Sequence, residues 1–189
     1  MNYLEGQQFE DLTFQDEPLT KGEYENCVFK HCDFSQTNLS EIKFIDCVFI
    51  ASNLSLVNLN QTAFRDIKFI ECKLLGLQFE NCNEFGLSFS FEKCQLDHSS
   101  FYKTKIKKTS FKDSKLKEVD FSECDLTESI FENCDLNSAN FDQTILEKAD
   151  LRTAYNYSID PEINRIKKAK FSIQSISGLL IKYDIKIEN

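Results

Sequence analysis

Eight cysteines, two histidines, a run of seven lysines and a block of nine acids are the residues of this 189-residue chain whose types could do chemistry. His31 stands next to Cys32 and would suit a soft metal. A metal site, however, needs ligands that converge on one point. The cysteines instead fall at multiples of five within each half of the chain, and never as C-x-x-C: Cys27, Cys32, Cys47, Cys72 and Cys82, then Cys94, Cys124 and Cys134. No phosphate-binding glycine loop, nucleophile elbow or dinucleotide fingerprint is present. These patterns predict no catalytic residue, no bound metal and no cofactor, so an enzyme is not expected.

The element that positions the cysteines is a repeat of five. From Leu4 to Phe79 a large apolar residue recurs every fifth position, the series fails at Glu84, and it resumes two residues out of phase from Phe91 to Leu151. All 29 of these centres are Phe, Leu, Ile or Tyr, and they absorb 15 of the 18 phenylalanines. Two residues before each centre the chain prefers small side chains, and every cysteine lies in that phase of the period. The residue just before the centre is often Asp or Asn, as in CDF at 32–34 and CDL at 124–126. A period of five fits neither an amphipathic helix nor an alternating strand. A chain that points a large residue inward every five must turn a corner each time, and four sides close a square coil of about 20 residues. Stacked coils then lie at roughly the strand spacing, ~4.8 Å. The fold expected is an all-β solenoid over 1–155 with a register break at 80–90, followed by a C-terminal element over 156–189.

The net charge of −9 and pI near 4.8 disfavour direct binding to nucleic acid or an anionic membrane surface. No apolar run is long enough to span a bilayer, and the start of the chain shows no basic stretch followed by an apolar block. Reduced thiols and a cytoplasmic location are the expectation.

Two segments depart from the repeat. The break NCNEFGLSFS at 81–90 predicts either a structural bulge or a partner loop carrying Asn83, Glu84, Phe85 and Gly86. In the tail, Asp160-Pro161 signals a helix start. Ile173, Ile176, Leu180 and Tyr183 share a helical face, and Ile185 and Ile187 alternate as in a short strand. Gly178 counts against that helix. An open solenoid end needs a cap. The tail serves as a cap alone, or as a cap that also pairs two rods.

The centres, the small site two before and the Asp or Asn between them resemble the A(D/N)LXX motif of the pentapeptide-repeat family over about 4–155. The tail pattern NY-x-ID, KKAKFS, LL and I-x-I over 155–187 is similar to the C-termini of its Qnr-like subgroup. The resemblance implies a right-handed quadrilateral β-helix with a C-terminal helical cap and short strand. It also implies a homodimer joined through Ile173, Ile176, Leu179, Leu180, Tyr183, Ile185 and Ile187. It further implies a DNA-mimicking protein that protects bacterial DNA gyrase or topoisomerase IV from quinolones or a poisoning toxin. The alternative is a scaffolding repeat protein with an unrelated partner.

Charge placement bears on that choice. Lys103, Lys105, Lys107, Lys108, Lys112, Lys115 and Lys117 are followed by nine acids with no base before 148: Glu118, Asp120, Glu123, Asp125, Glu128, Glu132, Asp135, Asp142 and Glu147. None is at an inward site, so all nine are expected to face solvent. They form either a soluble, motif-driven surface or the acidic face that a basic groove would grip.

Overall fold

The computed structural model describes residues 2–188. The chain winds into a rod of four-sided coils with every ladder parallel. On side 1, Asn2–Glu5, Gly22–Glu25, Lys43–Ile45 and Ala63–Arg65 pair in order. On side 2, Gln8–Glu10, Val28–Lys30, Val48–Ile50, Ile67–Ile70, Phe89–Glu92, Ser110–Lys112 and Ile130–Glu132 form one seven-stranded sheet. Sides 3 and 4 are stitched by single parallel bridges such as Asp33 to Asn53 and Asp120 to Asn140. Partners stand 20 residues apart within each half, as Phe29 with Phe49 and Phe111 with Phe131.

The five-residue period has a backbone cause. The residue two after most centres takes a left-handed conformation and turns the corner, from Ala51 at φ 48° to Glu41 at φ 64°. Such φ values are uncommon away from glycine, yet here Glu, Lys, Gln, Asp and His supply them. The Asp or Asn before the centre braces the turn, accepting the N–H two residues on: Ser35 N to Asp33 Oδ1 is 2.8 Å and Ser122 N to Asp120 Oδ1 is 2.9 Å. This is the Asx turn.

Inside, like stacks on like. On side 2 the rings of Phe29, Phe49, Phe69, Phe91, Phe111 and Phe131 form a continuous pile with centroids 4.8–5.3 Å apart. Phe79, Phe101, Phe121 and Phe141 form a second pile on side 4. Rings on the facing sides 2 and 4 meet edge to face across the interior, as Phe101 with Phe111 at 87°, the favoured geometry for aromatic pairs. The cysteines fill the gaps that this packing leaves.

The register break does not interrupt the stack. Ile67 pairs with Phe89 and Phe69 with Phe91, an offset of 22, and the Phe69 and Phe91 rings remain parallel to 8°. The two extra residues are accommodated on side 1. Phe89 is buried among Phe79, Phe91 and Phe101.

At the other end the coil outlasts the sequence period. Tyr155, Arg165 and Lys170 still bridge to Asp135, Ile145 and Asp150, so the ladder runs past 155. The centre pattern is lost there because Tyr157, Ile159, Ile166 and Phe171 fill the interior at irregular spacing. The segment beyond is two short 3-10 turns, Ile173–Leu179 and Ile181–Tyr183, where the spacing predicts one helical face. Residues 184–188 run without regular structure where the Ile185–Ile187 alternation predicts a strand. No neighbouring strand lies beside them among the described residues.

Candidate functional site

The nine acids of 118–147 wind round the rod instead of lining one side, because five residues make a side. Glu118 and Asp135 belong to side 3, Asp120, Glu123 and Asp142 to side 4, Asp125, Glu128 and Glu147 to side 1, and Glu132 to side 2. The block is a girdle. The lysines one coil earlier sit beneath it, and the ions pair along the rod axis: Lys103 with Glu123 at 3.5 Å, Lys107 with Asp125 at 3.2 Å, Lys108 with Glu128 at 3.9 Å and Lys117 with Asp135 at 3.5 Å. From the next coils Lys148 reaches Glu128 and Arg165 reaches Glu147, both at 2.7 Å. The hydrogen bond from Lys148 holds the Glu128 carboxyl below its ordinary range. The expectation that all nine face solvent is corrected for the three motif acids. Asp135 is buried at 9% exposure, and Asp120 and Asp125 are half-buried, because each is spent on an Asx turn. Among the described residues, Asp120, Glu132 and Asp142 have no cation within ion-pair distance, and Glu118 meets only His98 at 3.3 Å.

Negative charge without an ion-pair partner is concentrated earlier in the chain, where Glu5, Asp16, Glu17, Asp46, Asp66 and Glu84 stand. Residues 1–90 carry 14 acids against 6 bases.

The break forms a projecting corner on side 1. Asn83 Oδ1 accepts the Phe85 N–H at 3.1 Å, and Gly86 takes φ 71°. Phe85 stands 74% exposed, with the Arg65 guanidinium 5.2 Å from its ring centroid. Arg65 Nε also donates to the Phe85 carbonyl at 3.4 Å. Glu84 is exposed beside it.

The tail divides its predicted contact residues in two. Leu179 is buried against the last coil and Leu180 is half-buried. Ile173, Ile176, Tyr183, Ile185 and Ile187 are exposed, Ile173 at 87%. Gly178 explains the division. Its carbonyl accepts the Ile159 N–H at 2.9 Å, and a Cβ on it would lie 2.4 Å from the Tyr157 carbonyl oxygen and 2.6 Å from that ring. Only glycine lets the segment lie this close. Lys182 then clips it to Asp160 and Glu162 at 2.7 and 2.6 Å.

The family model for the pentapeptide repeat region matches residues 22–90 and 87–154. This chain is a pentapeptide-repeat protein. Among solved structures, a trypsin-treated variant of QnrB1, a plasmid-mediated fluoroquinolone resistance protein, aligns at 18% identity with TM-score 0.62, over 98% of this chain and 99% of that one. HetL, a pentapeptide-repeat protein involved in heterocyst differentiation regulation from the cyanobacterium Nostoc sp. strain PCC 7120, aligns at 13% identity with TM-score 0.66, over 90% and 87%. At these identities the likeness is one of fold. No curated protein sequence matches this chain.

The pentapeptide coil also settles the geometry of the histidines and thiols. All eight cysteines are free and buried. Cys47 donates to the Tyr24 and Ile45 carbonyls at 3.2 and 3.3 Å, as Ser52 does to the Phe29 and Ile50 carbonyls at 3.2 and 3.0 Å. Burial pushes the Cys47 thiol up to about 12. His31 sits on a corner with its ring toward Asp11 at 3.4 Å, while Cys32 points inward, so the neighbours do not converge. His31, Asp11 and Glu10 do cluster at the surface, with Lys30 on Glu10 at 2.6 Å. No helix among the described residues is long and apolar enough to cross a membrane.

Proposed function

We propose that this pentapeptide-repeat protein is a non-catalytic binding protein that engages a bacterial type II topoisomerase, DNA gyrase or topoisomerase IV, and shields it from a quinolone or a poisoning toxin. The observation that carries this reading is its likeness in fold to the fluoroquinolone resistance protein QnrB1 over nearly the full length of both chains. Two such rods joined at their capped ends, through Ile173, Ile176 and Tyr183, would offer a stiff acidic body the size of a short duplex. The free negative charge on that body belongs mainly to the N-terminal coils, since the 118–147 girdle is largely neutralised by its own lysines. A basic DNA groove would therefore grip the region of Asp16, Glu17, Asp46 and Asp66 more strongly than Glu123 and Glu128. Association would be steered by charge and weakened by salt.

The test is a supercoiling assay with purified gyrase and a quinolone. Added protein is expected to restore supercoiling, and no restoration at any concentration would refute the reading. The fold likeness to HetL favours a second reading, a regulatory scaffold with an unrelated protein partner. Affinity capture that returns no topoisomerase subunit and one reproducible other protein would select it.

A further inference from the structure

The break leaves a gap in the ladder where side 1 begins. One hydrogen bond recurs there between successive coils. The Ala63 N–H donates to the Ile42 carbonyl, Asn83 to Thr62, Asp125 to Thr104, Ile145 to Cys124 and Arg165 to Thr144, all at 2.9–3.0 Å. The register assigns the missing bond of this series to the Lys105 N–H and the Cys82 carbonyl. Neither group has a hydrogen-bond partner among the described residues. The two coils part at this point, and a cavity of about 310 Å³ opens between them, lined by Glu80, Cys82, Leu87, Tyr102 and Lys105 among others. That is the lower end of the range for small-molecule sites. Glu80 Oε2 is buried with no hydrogen-bond partner. Of the two lysines in the lining, Lys103 meets Glu123 at 3.5 Å, and Lys105 has no carboxylate within ion-pair distance among the described residues. Unmet peptide groups and a buried, unpaired carboxylate oxygen are costly, and here they line one space. A water takes about 30 Å³, so the cavity is far larger than one bridging water needs.

We infer that this cavity is a binding site for a free α-amino acid with an aliphatic side chain. Its unmet groups divide by sign. The Lys105 N–H and ammonium are donors and suit a carboxylate. The Cys82 carbonyl and the Glu80 carboxylate are acceptors and suit an ammonium group. An amino acid carries both groups on one carbon, so it replaces the missing ladder bond with charge-assisted ones. A simple anion would leave Glu80 and Cys82 unmet, and a simple cation would leave the Lys105 N–H unmet. Leu87 and Phe79 supply apolar wall for the ligand's side chain. The Cys82 thiol adds no negative charge, because burial, and after it the charge of Glu80, pushes it up. The site lies at the break and not at the capped end, and it does not rest on the topoisomerase reading.

The test titrates the full-length protein with L-leucine, followed by calorimetry and by NMR of the Lys105 amide. Two analogues divide the ligand: isocaproate lacks the ammonium group and isoamylamine lacks the carboxylate. Leucine is expected to bind and to move the Lys105 amide resonance. Each analogue is expected to bind at least tenfold more weakly, since a site built on buried polar groups rejects a ligand that leaves them unpaired. Glu80→Gln and Lys105→Met are each expected to weaken leucine at least tenfold while melting no lower than wild type, because the buried Glu80 oxygen and the Lys105 ammonium have no partner in the rod to lose. Should a variant melt lower, the analogue series on wild type decides the matter. A Lys105 amide unmoved by millimolar leucine would overturn the inference. So would either analogue binding as tightly as leucine, or full leucine affinity in both variants.

Discussion

Most corners of the coil rest on one residue held at positive φ, and 26 non-glycine residues of the described chain adopt such angles. An L-residue meets a steric penalty there of roughly 1–2 kcal/mol, which the repeated ladder overrides. A β-branched side chain is a far poorer occupant. Ala51, at φ 48° on a side 2 corner, provides the test. Ala51→Val is expected to lower stability by a further ~1–2 kcal/mol, measured by urea unfolding, while Ala51→Gly is expected to be neutral or stabilising. Equal stability of all three would show that the corner is not strained. The sequence displays the small site and the Asx position through their residue types. It hides the corner, because Glu, Lys, Gln and His there look like ordinary surface. That hidden turn is why Asp120, Asp125 and Asp135 read as solvent-facing acids, when their carboxylates are bound to the backbone.

At the scale of the element, the cap is the part least legible in sequence. Its apolar spacing fits a helix face, and nothing in the letters shows that Gly178 must lie against Tyr157. The structure turns a residue that counts against a helix into the docking point. Gly178→Ala is expected to lift the segment from the last coil at a cost of about 1–3 kcal/mol, seen as faster hydrogen exchange at 173–183 with the coils below unchanged. Unaltered exchange there would remove the glycine's role. The clip of Lys182 with Asp160 and Glu162 adds a pH dependence. The hydrogen bond from Lys182 is the leading cause that holds each carboxyl below its ordinary range. Groups depressed in the folded state contribute stability above their unfolded pKa values, about 4, and lose it as pH falls through the folded values. The cap is therefore expected to loosen between about pH 4 and more acidic conditions, and Lys182→Met to weaken that dependence, leaving the part due to the Glu162 N–H on Asp160 and the Tyr183 hydroxyl on Glu162.

For the whole molecule, the repeat made the rod legible and left its partners to the surface. Phe29, Phe49 and Phe69 predict one stacked column, and they form one. The acids of 118–147 read as one zone, and winding spreads them over four sides above a coil of lysines. Linear adjacency in a solenoid is thus a poor guide to surface adjacency, whereas a spacing of 20 is a good one. Where the stack is capped, its last coil is covered by the 173–183 segment. At the capped end Ile173 and Ile176 are exposed while Leu179 beside them is buried, so the exposed pair can be altered without touching the packing below. If the end joins two rods, Ile173→Asp with Ile176→Asp buries charge in that junction, which is expensive without a partner. The doubly substituted protein is expected to sediment with half the mass of its end-to-end species and to melt as wild-type monomer does. An end-to-end species that survives both substitutions would mean that the tail caps one rod and does no more.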